Sequence, residues 1–269
     1  MGKIIGLIAI KGGVGKTTTT LNLGAVIAKE FNKKVLLVDA NFSAPNLGLH
    51  LGLVKPEATL HHVLNNRASI QDAIHEYEEN LHLIPGALAG RKINPYLLKE
   101  KLKQIKDKYD IILIDSSPAL NEEILSTMIA AEKLFVVTSP DYPTLSTTMH
   151  AVRIAKQKKI PIAGLILNKV RNKKFELTLH DIEEATGVPV VAVIPDDIKM
   201  LEALSKTKHI ADHAPKRSIV YEYRKLAACM VGEHYTDSRF VEKLKRYFSK
   251  DLPKEEINRL QLKEEHFKK

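Results

Sequence analysis

The chain has 269 residues, 44% of them hydrophobic, with a formal net charge of +9 and a single cysteine, Cys229. One thiol excludes intrachain disulfides, cysteine-bridged iron–sulfur clusters and cysteine-rich zinc sites, so that relatives with bridging cysteine pairs are expected to match poorly. No apolar run approaches the ~20 residues of a membrane-spanning helix, Lys3 leads into a short strand rather than a signal sequence, and the basic excess suits a polyanion such as a nucleotide, a nucleic acid or an anionic membrane.

Apolar runs alternate with helix-period segments, which predicts an α/β fold: a doubly wound, mainly parallel sheet with helices on both faces. Strands are expected at 3–10, 34–39, 81–85, 110–115, 133–139, 162–168 and 188–195. Helices are expected at 18–30, where Leu21, Ala25 and Ala28 recur at helical spacing, at 60–65 behind the N-cap Thr59, and from Asn94 and Pro95 to about 106. A charged, helix-like segment at 254–269 follows Pro253. Right-handed crossovers would bring every C-terminal strand end to one rim, where open α/β sheets bind ligands.

The first strand ends in Lys11-Gly12-Gly13-Val14-Gly15-Lys16-Thr17-Thr18. A strand that runs through glycines into a helix aims backbone N–H groups at one point, and the helix dipole there favours an anion. Lys16 would reach the β/γ-phosphates and the Thr17 hydroxyl would ligate Mg²⁺. Ile10 stands where the strict G-x-x-x-x-G-K-[ST] pattern has its first glycine, leaving K-G-G-x-G-K-T-T with a second lysine at Lys11. Further strands deliver Asp39, Asp115 and Asn168 at their ends. Two strand-end acids on one rim are costly to bury unless they share a cation, most simply the Mg²⁺ of a nucleotide.

The two-lysine loop resembles the deviant Walker A of the MinD/ParA family of P-loop ATPases, nearest in flavour to archaeal MinD-like proteins. The resemblance runs from Met1 to about Lys206 through Val38-Asp39-Ala40-Asn41, Asn46-Leu47-Gly48-Leu49, Thr59-Leu60-His61-His62-Val63-Leu64, Leu83-Ile84-Pro85-Gly86, Ile112-Leu113-Ile114-Asp115, Val137-Thr138-Ser139-Pro140, Leu167-Asn168-Lys169 and Val193-Ile194-Pro195-Asp196. It implies ATP and Mg²⁺ as ligands, with Gly12, Gly13, Val14, Gly15 and Thr18 cradling phosphate beside Lys16 and Thr17. By the same resemblance Asp39 and Asp115 hold Mg²⁺ through water, Asn168 reads the adenine edge, and Pro195 and Asp196 close over the base. ATP is favoured over GTP, because Lys169 is followed by Val170 and Arg171 and the N-K-x-D base reader is missing. Residues 39–46 match switch I and 115–120 match switch II, with Asn46 near the γ-phosphate and the attacking water. The family implies an ATP-dependent homodimer in which Lys11 reaches the partner subunit's nucleotide, an activating or cargo protein, and a role in positioning or partitioning a cellular structure.

Two departures bear on this. The family's second switch I acid is replaced by Asn41, whose amide can hold a water but cannot accept its proton. Weak or partner-dependent hydrolysis is therefore expected, unless Asp141 or Glu122 substitutes. Thr147 stands near a position where many MinD sequences carry an acid, which bears on how Lys11 is held. Three functions stay open at this point: a switch ATPase, a hydrolysis-poor ATP-dependent scaffold or adaptor, and a metabolic ligase or kinase, for which no acceptor cluster is visible.

The division expected is an ATPase domain over 1–235 and a basic extension over 236–269. In the extension Phe240, Val241, Leu244, Tyr247 and Phe248 share a helical face among Lys243, Lys245, Arg246 and Lys250. An internally packed helix, a peripheral membrane contact and nonspecific DNA binding are all compatible with it. The expected location is the cytoplasm, with membrane or nucleoid association left open. His61-His62 and the pair His209/His213 are read as surface or capping residues, because no third metal ligand accompanies them in sequence.

Overall fold

The computed structural model describes residues 2–88, 93–237, 239 and 252–267. The described residues form one sheet from β1 (Lys3–Ile8), β2 (Val35–Ala40), β3 (His75–Glu78), β4 (Leu81–Ile84), β5 (Ile111–Ser116), β6 (Lys133–Thr138), β7 (Ile162–Val170) and β8 (Val190–Pro195). Their order is β3-β4-β2-β5-β1-β6-β7-β8, and only the β3/β4 pair is antiparallel. Each expected strand is present. The unexpected one, β3, reads His75-Glu76-Tyr77-Glu78 and is only partly buried, so it carries no apolar run to announce it.

Alternation along the parallel strands divides the core between the two faces. Ile5, Leu7, Leu37, Leu113 and Phe135 meet α1 (Lys16–Phe31) and α10 (Ser218–Val231) on one face. On the other, Ile4, Leu36, Val38, Ile112 and Ile114 pack on α3 (Leu60–Leu64) and α4 (Leu98–Lys103). Beside them Ile8, Leu134, Val136 and Leu165 pack on α5 (Glu122–Ala130), α6 (Tyr142–Gln157) and α7 (Leu179–Thr186). Short helices α2 (Leu47–His50), α8 (Ile198–Ser205) and α9 (Ile210–His213) lie among these connections.

Local chemistry sets the helix ends. Thr59 caps α3 through a reciprocal box with His62, and Asn94 caps a 3₁₀ turn at Pro95–Leu97 that leads into α4. Gly24 lets α1 lie close on the sheet, since a Cβ there would come within 2.5 Å of the Leu37 side chain.

The charged segment after Pro253 forms α11 (Lys254–Leu262), which packs on β8 and α10 with polar residues turned inward. Asn258 donates to the Val190 carbonyl at 2.8 Å and to Glu183 at 2.7 Å. The Arg259 guanidinium donates to the Val191 carbonyl at 3.0 Å and lies 3.5 Å from Glu222. Beyond it Phe267 is fully buried, stacked on Phe135 and flanked by the ammonium groups of Lys3 and Lys133 at 4.8 and 4.9 Å from its ring. The amphipathic face built from Phe240, Val241, Leu244, Tyr247 and Phe248 lies outside the described residues. No helix among the described residues is long and apolar enough to cross a membrane.

Candidate functional site

β1 lies between β5 and β6, and its C-terminal end delivers the glycine loop to the middle of the upper rim. Gly13 and Gly15 adopt left-handed backbone (φ +78° and +88°). At Gly15 a Cβ would also sit 2.2 Å from the Asn168 amide nitrogen, so glycine is required twice over. A Cβ at Gly12 or Gly13 would meet nothing within 4 Å, and no side chain caps the first turn of α1. Uncapped N–H groups beside open space are what an anion needs.

Beneath the loop lie the two strand-end acids, paired in register on β2 and β5 and both fully buried. Lys16, itself buried, places its ammonium 2.7 Å from Asp115, and the Thr17 hydroxyl donates to the other carboxylate oxygen at 2.6 Å. Asp39 accepts the backbone N–H groups of Asn41 at 3.2 Å and Leu47 at 2.9 Å, which ties both ends of the loop of residues 41–46 to β2. Burial and then the neighbouring Asp115 push the Asp39 carboxyl up to about 7, against those N–H bonds and Lys16. Two acids facing one ammonium fit a divalent cation, which would relieve the excess negative charge.

The same shift has a consequence for stability. Between about pH 4, where an unfolded aspartate titrates, and about 7 the folded chain keeps a proton that the unfolded chain has released. Asp39 therefore subtracts from stability progressively as pH rises through that window, and the subtraction is complete above it. Without divalent cations, the urea midpoint should fall more steeply from pH 5 to pH 8 in the native protein than in Asp39→Asn. Parallel profiles would contradict this.

The loop of residues 41–46 presents amides to the rim. Asn41 donates its NH₂ to the Ala44 carbonyl at 2.6 Å, which leaves its carbonyl oxygen free to accept. That oxygen and the Asn46 carbonyl oxygen are buried without a hydrogen-bond partner. His50, one helical turn after Asn46, faces the same cavity, and burial holds its imidazole below the usual range. Lys11 donates to Asp141 at 3.1 Å and to Thr144 at 2.8 Å. Burial opposes ionisation of Asp141, yet bonds from Ser139, from the Thr144 side chain and backbone, and from Lys11 hold its carboxyl down at about 2. Thr147 bonds its own helix at the Thr144 carbonyl, so Asp141 and Thr144 hold Lys11.

One cavity of about 280 Å³ is lined by residues 11–18, Asn41, Asn46, Asn168, Pro195 and Asp196. Asp39 and Asp115 are not on its wall; Asp115 lies behind Lys16 and Thr17, which bond it, and Asp39 lines a neighbouring cavity with Pro45, Gly48 and Pro85. Neither Asp141 nor Glu122 lines it. The far wall is apolar, with Met200, Leu201, Leu204, Ile219 and Tyr223 from α8 and α10. Arg171 holds Asp196 at 2.7 Å, and Arg217 holds Asp197 through two bonds at 2.8 and 3.0 Å. Sequence reasoning missed His50, although its i+4 spacing from Asn46 was a signal, and missed the apolar wall, whose residues also serve helix packing.

The histidines need one correction. Around His209 the fold does gather third and further groups, Glu78 at 3.3 Å and Asp212 at 3.0 Å, with Lys29 already bonded to Asp212. This ties α9 and α1 to β3 as a polar cluster around the buried His209. His61 bridges the Phe42 carbonyl and the Ala87 N–H, and His62 completes the α3 cap.

The chain matches a family model described as AAA domain over residues 2–162, and one described as 4Fe-4S iron sulfur cluster binding proteins, NifH/frxC family, over residues 89–246. The second match corrects the expectation that such relatives would match poorly. Its cluster chemistry finds no support here, because a 4Fe–4S centre takes four thiolates and Cys229 lies buried in α10, where burial pushes its thiol up to about 12. The chain is 33% identical over 249 residues to an uncharacterized ATP-binding protein of Methanocaldococcus jannaschii, covering 91% of this chain and 94% of that one. It is 32% identical over 272 residues to the septum site-determining protein MinD of Thermotoga maritima, covering 93% and 98%. The structure of the septum site-determining protein MinD complexed with Mg-ADP from Pyrococcus horikoshii OT3 superposes with a TM-score of 0.80 at 32% identity, over 93% of this chain and 100% of that one. A lysine on each side of the same glycines separates this loop from other phosphate cradles, and with kinship along more than nine-tenths of its length the chain belongs to the MinD/ParA family of P-loop ATPases.

Proposed function

We propose that the protein is an ATP-binding, slowly hydrolysing switch that pairs with a second copy of itself on ATP and acts in positioning or partitioning a cellular structure. The observation that carries this reading is the single cavity that joins the glycine loop to Asn168, Pro195 and Asp196 and includes the two amides, Asn41 and Asn46, whose oxygens lack partners. Lys16 would trade its contact with Asp115 for the β/γ-phosphates, and the N–H groups of residues 12–18 would take the phosphate oxygens. Thr17, Asp39 and Asp115 would hold Mg²⁺, which supplies charge neutralisation on the phosphates. Asn168 would read adenine through its carbonyl oxygen, with Pro195 and Asp196 closing over the ring against Met200 and Leu204. Asn41 and Asn46 would hold the attacking water by accepting from it, which orients a nucleophile without removing its proton. Slow turnover follows, since phosphoryl transfer depends more on positioning than on base strength.

Pairing rests on Lys11. Its ion pair with Asp141 is partly exposed, 40% and 43% on the two side chains, and such pairs hold weakly, so leaving it and the Thr144 hydroxyl costs little against a phosphate contact. Released, Lys11 would reach the second copy's phosphates, and the exposed Leu120 and Tyr142 would be covered. Residues 236–269 would then be an extension of the 1–235 ATPase domain, and an activating or cargo protein the further partner. The MinD relative is named for septum siting, which supports the positioning role.

A second reading, a hydrolysis-poor ATP-dependent scaffold, is favoured by the Asn41 bond to Ala44, which commits switch I to an amide. Light scattering with ATP and with ADP, beside a phosphate-release assay, tests both. We expect the mass to double with ATP alone and phosphate release to be slow. An unchanged mass with either nucleotide would defeat the switch, and doubling without any release would select the scaffold.

A further inference from the structure

We propose that Lys169 is a positioning residue that, together with Asn168, orients the phosphate loop and couples the base end of the cavity to the phosphate end; this rests on the nucleotide site proposed above. In a regular strand two consecutive side chains point to opposite faces. At residues 168 and 169 that alternation is broken. The β7/β8 register slips between Leu167↔Val193 and Val170↔Pro195, and Lys169 adopts left-handed backbone at φ +59°. A non-glycine residue there is strained and persists only where its surroundings enforce it, and bulges near functional sites serve to re-aim side chains.

The result is that both side chains reach one loop. Asn168 donates its NH₂ to the Val14 carbonyl at 2.8 Å, and the Lys169 ammonium donates to the Gly13 carbonyl at 2.7 Å. A trans peptide sets its C=O and the next N–H on opposite sides. Fixing the carbonyls of Gly13 and Val14 toward Asn168 and Lys169 therefore turns the N–H groups of Val14 and Gly15 to the other side of the loop, as a phosphate nest requires. Asn168 keeps its carbonyl oxygen for a donor such as the amino group of adenine. One amide thus spans base and phosphate loop, so that a seated base steadies the cradle before the phosphates are gripped.

Lys169→Gly relieves the backbone strain and removes the bond, so it separates bracing from a purely structural role. We expect its urea midpoint to equal or exceed that of the native protein, amide exchange of residues 12–16 to accelerate in the absence of nucleotide, and affinity for ATP and for inorganic tripolyphosphate to fall about tenfold, as loss of one charge-assisted hydrogen bond implies. Adenosine affinity should stay the same. Lys169→Arg, which keeps charge and reach, should retain native exchange. Asn168→Ala should weaken tripolyphosphate as well as adenosine. Unchanged loop exchange in Lys169→Gly overturns the proposal whether or not affinity falls, because a bare charge effect would lower affinity alone. Failure of the native protein to bind ATP while the exchange result holds would instead overturn the nucleotide reading and leave the brace standing.

Discussion

Replacing Lys16 by alanine should remove ATP binding and destabilise the protein in one step. The ammonium is buried against a fully buried Asp115, and Asp39 lies in register beside that acid with its own carboxyl already pushed up. Without Lys16 two carboxyl groups share a site with no cation. Removing one partner of a buried pair typically costs about 3–5 kcal/mol, because the other charge is left uncompensated. The Thr17 and Thr20 hydroxyls remain near Asp115, so the lower end of that range is expected. The deficit should shrink at pH 5, where protonation removes the repulsion, and grow toward pH 8. ATP affinity should fall by at least about 100-fold, the equivalent of one direct charged contact to phosphate. Urea unfolding at both pH values and nucleotide titration provide the readouts. A variant as stable as the native chain at pH 8 would mean that Lys16 is not the counter-charge of these acids.

The second large effect concerns Asn41. In Asn41→Asp the NH₂ that reaches the Ala44 carbonyl at 2.6 Å becomes a carboxylate oxygen facing that carbonyl, and a third acid joins Asp39 and Asp115. The loop of residues 39–46 should loosen, with a stability loss of about 1 kcal/mol from the broken, partly buried bond. Hydrolysis should move the other way. A carboxylate both holds the water and accepts its proton, and the maximal rate of phosphate release should rise about tenfold or more. The loosened loop should raise KM at the same time, so the two parameters part company. An unchanged kcat would show that the native amide already orients the water as well as an acid does, and that the slow step lies elsewhere.

How much of this could be read in the sequence varied with the physics of each element. The parallel strands were legible because burial on both faces demands continuous apolar runs, and the loop was legible because lysines flank glycines at fixed offsets. β3 was not, since a partly buried edge strand of His75-Glu76-Tyr77-Glu78 needs no apolar pattern. Asn168 was legible as a strand-end polar residue, but its bond to Val14 and the turn of Lys169 toward Gly13 arise from a slipped register between two strands, which leaves no mark in either strand alone. Asp141 drew attention only as a stand-in base, because its capping of α6 and its grip on Lys11 depend on where a distant helix starts.

The inward-facing side chains of α11 have one more consequence. Among the described residues β8 is the last strand of the sheet, and its Val190 and Val191 carbonyls would otherwise offer an open edge to an extended chain. Asn258 and Arg259 occupy those acceptors, so the charged C-terminal helix works as protection against edge-to-edge aggregation. A truncation that strips it would uncover a valine-rich template, and such a protein would sediment by self-association whether or not lipid or DNA is present.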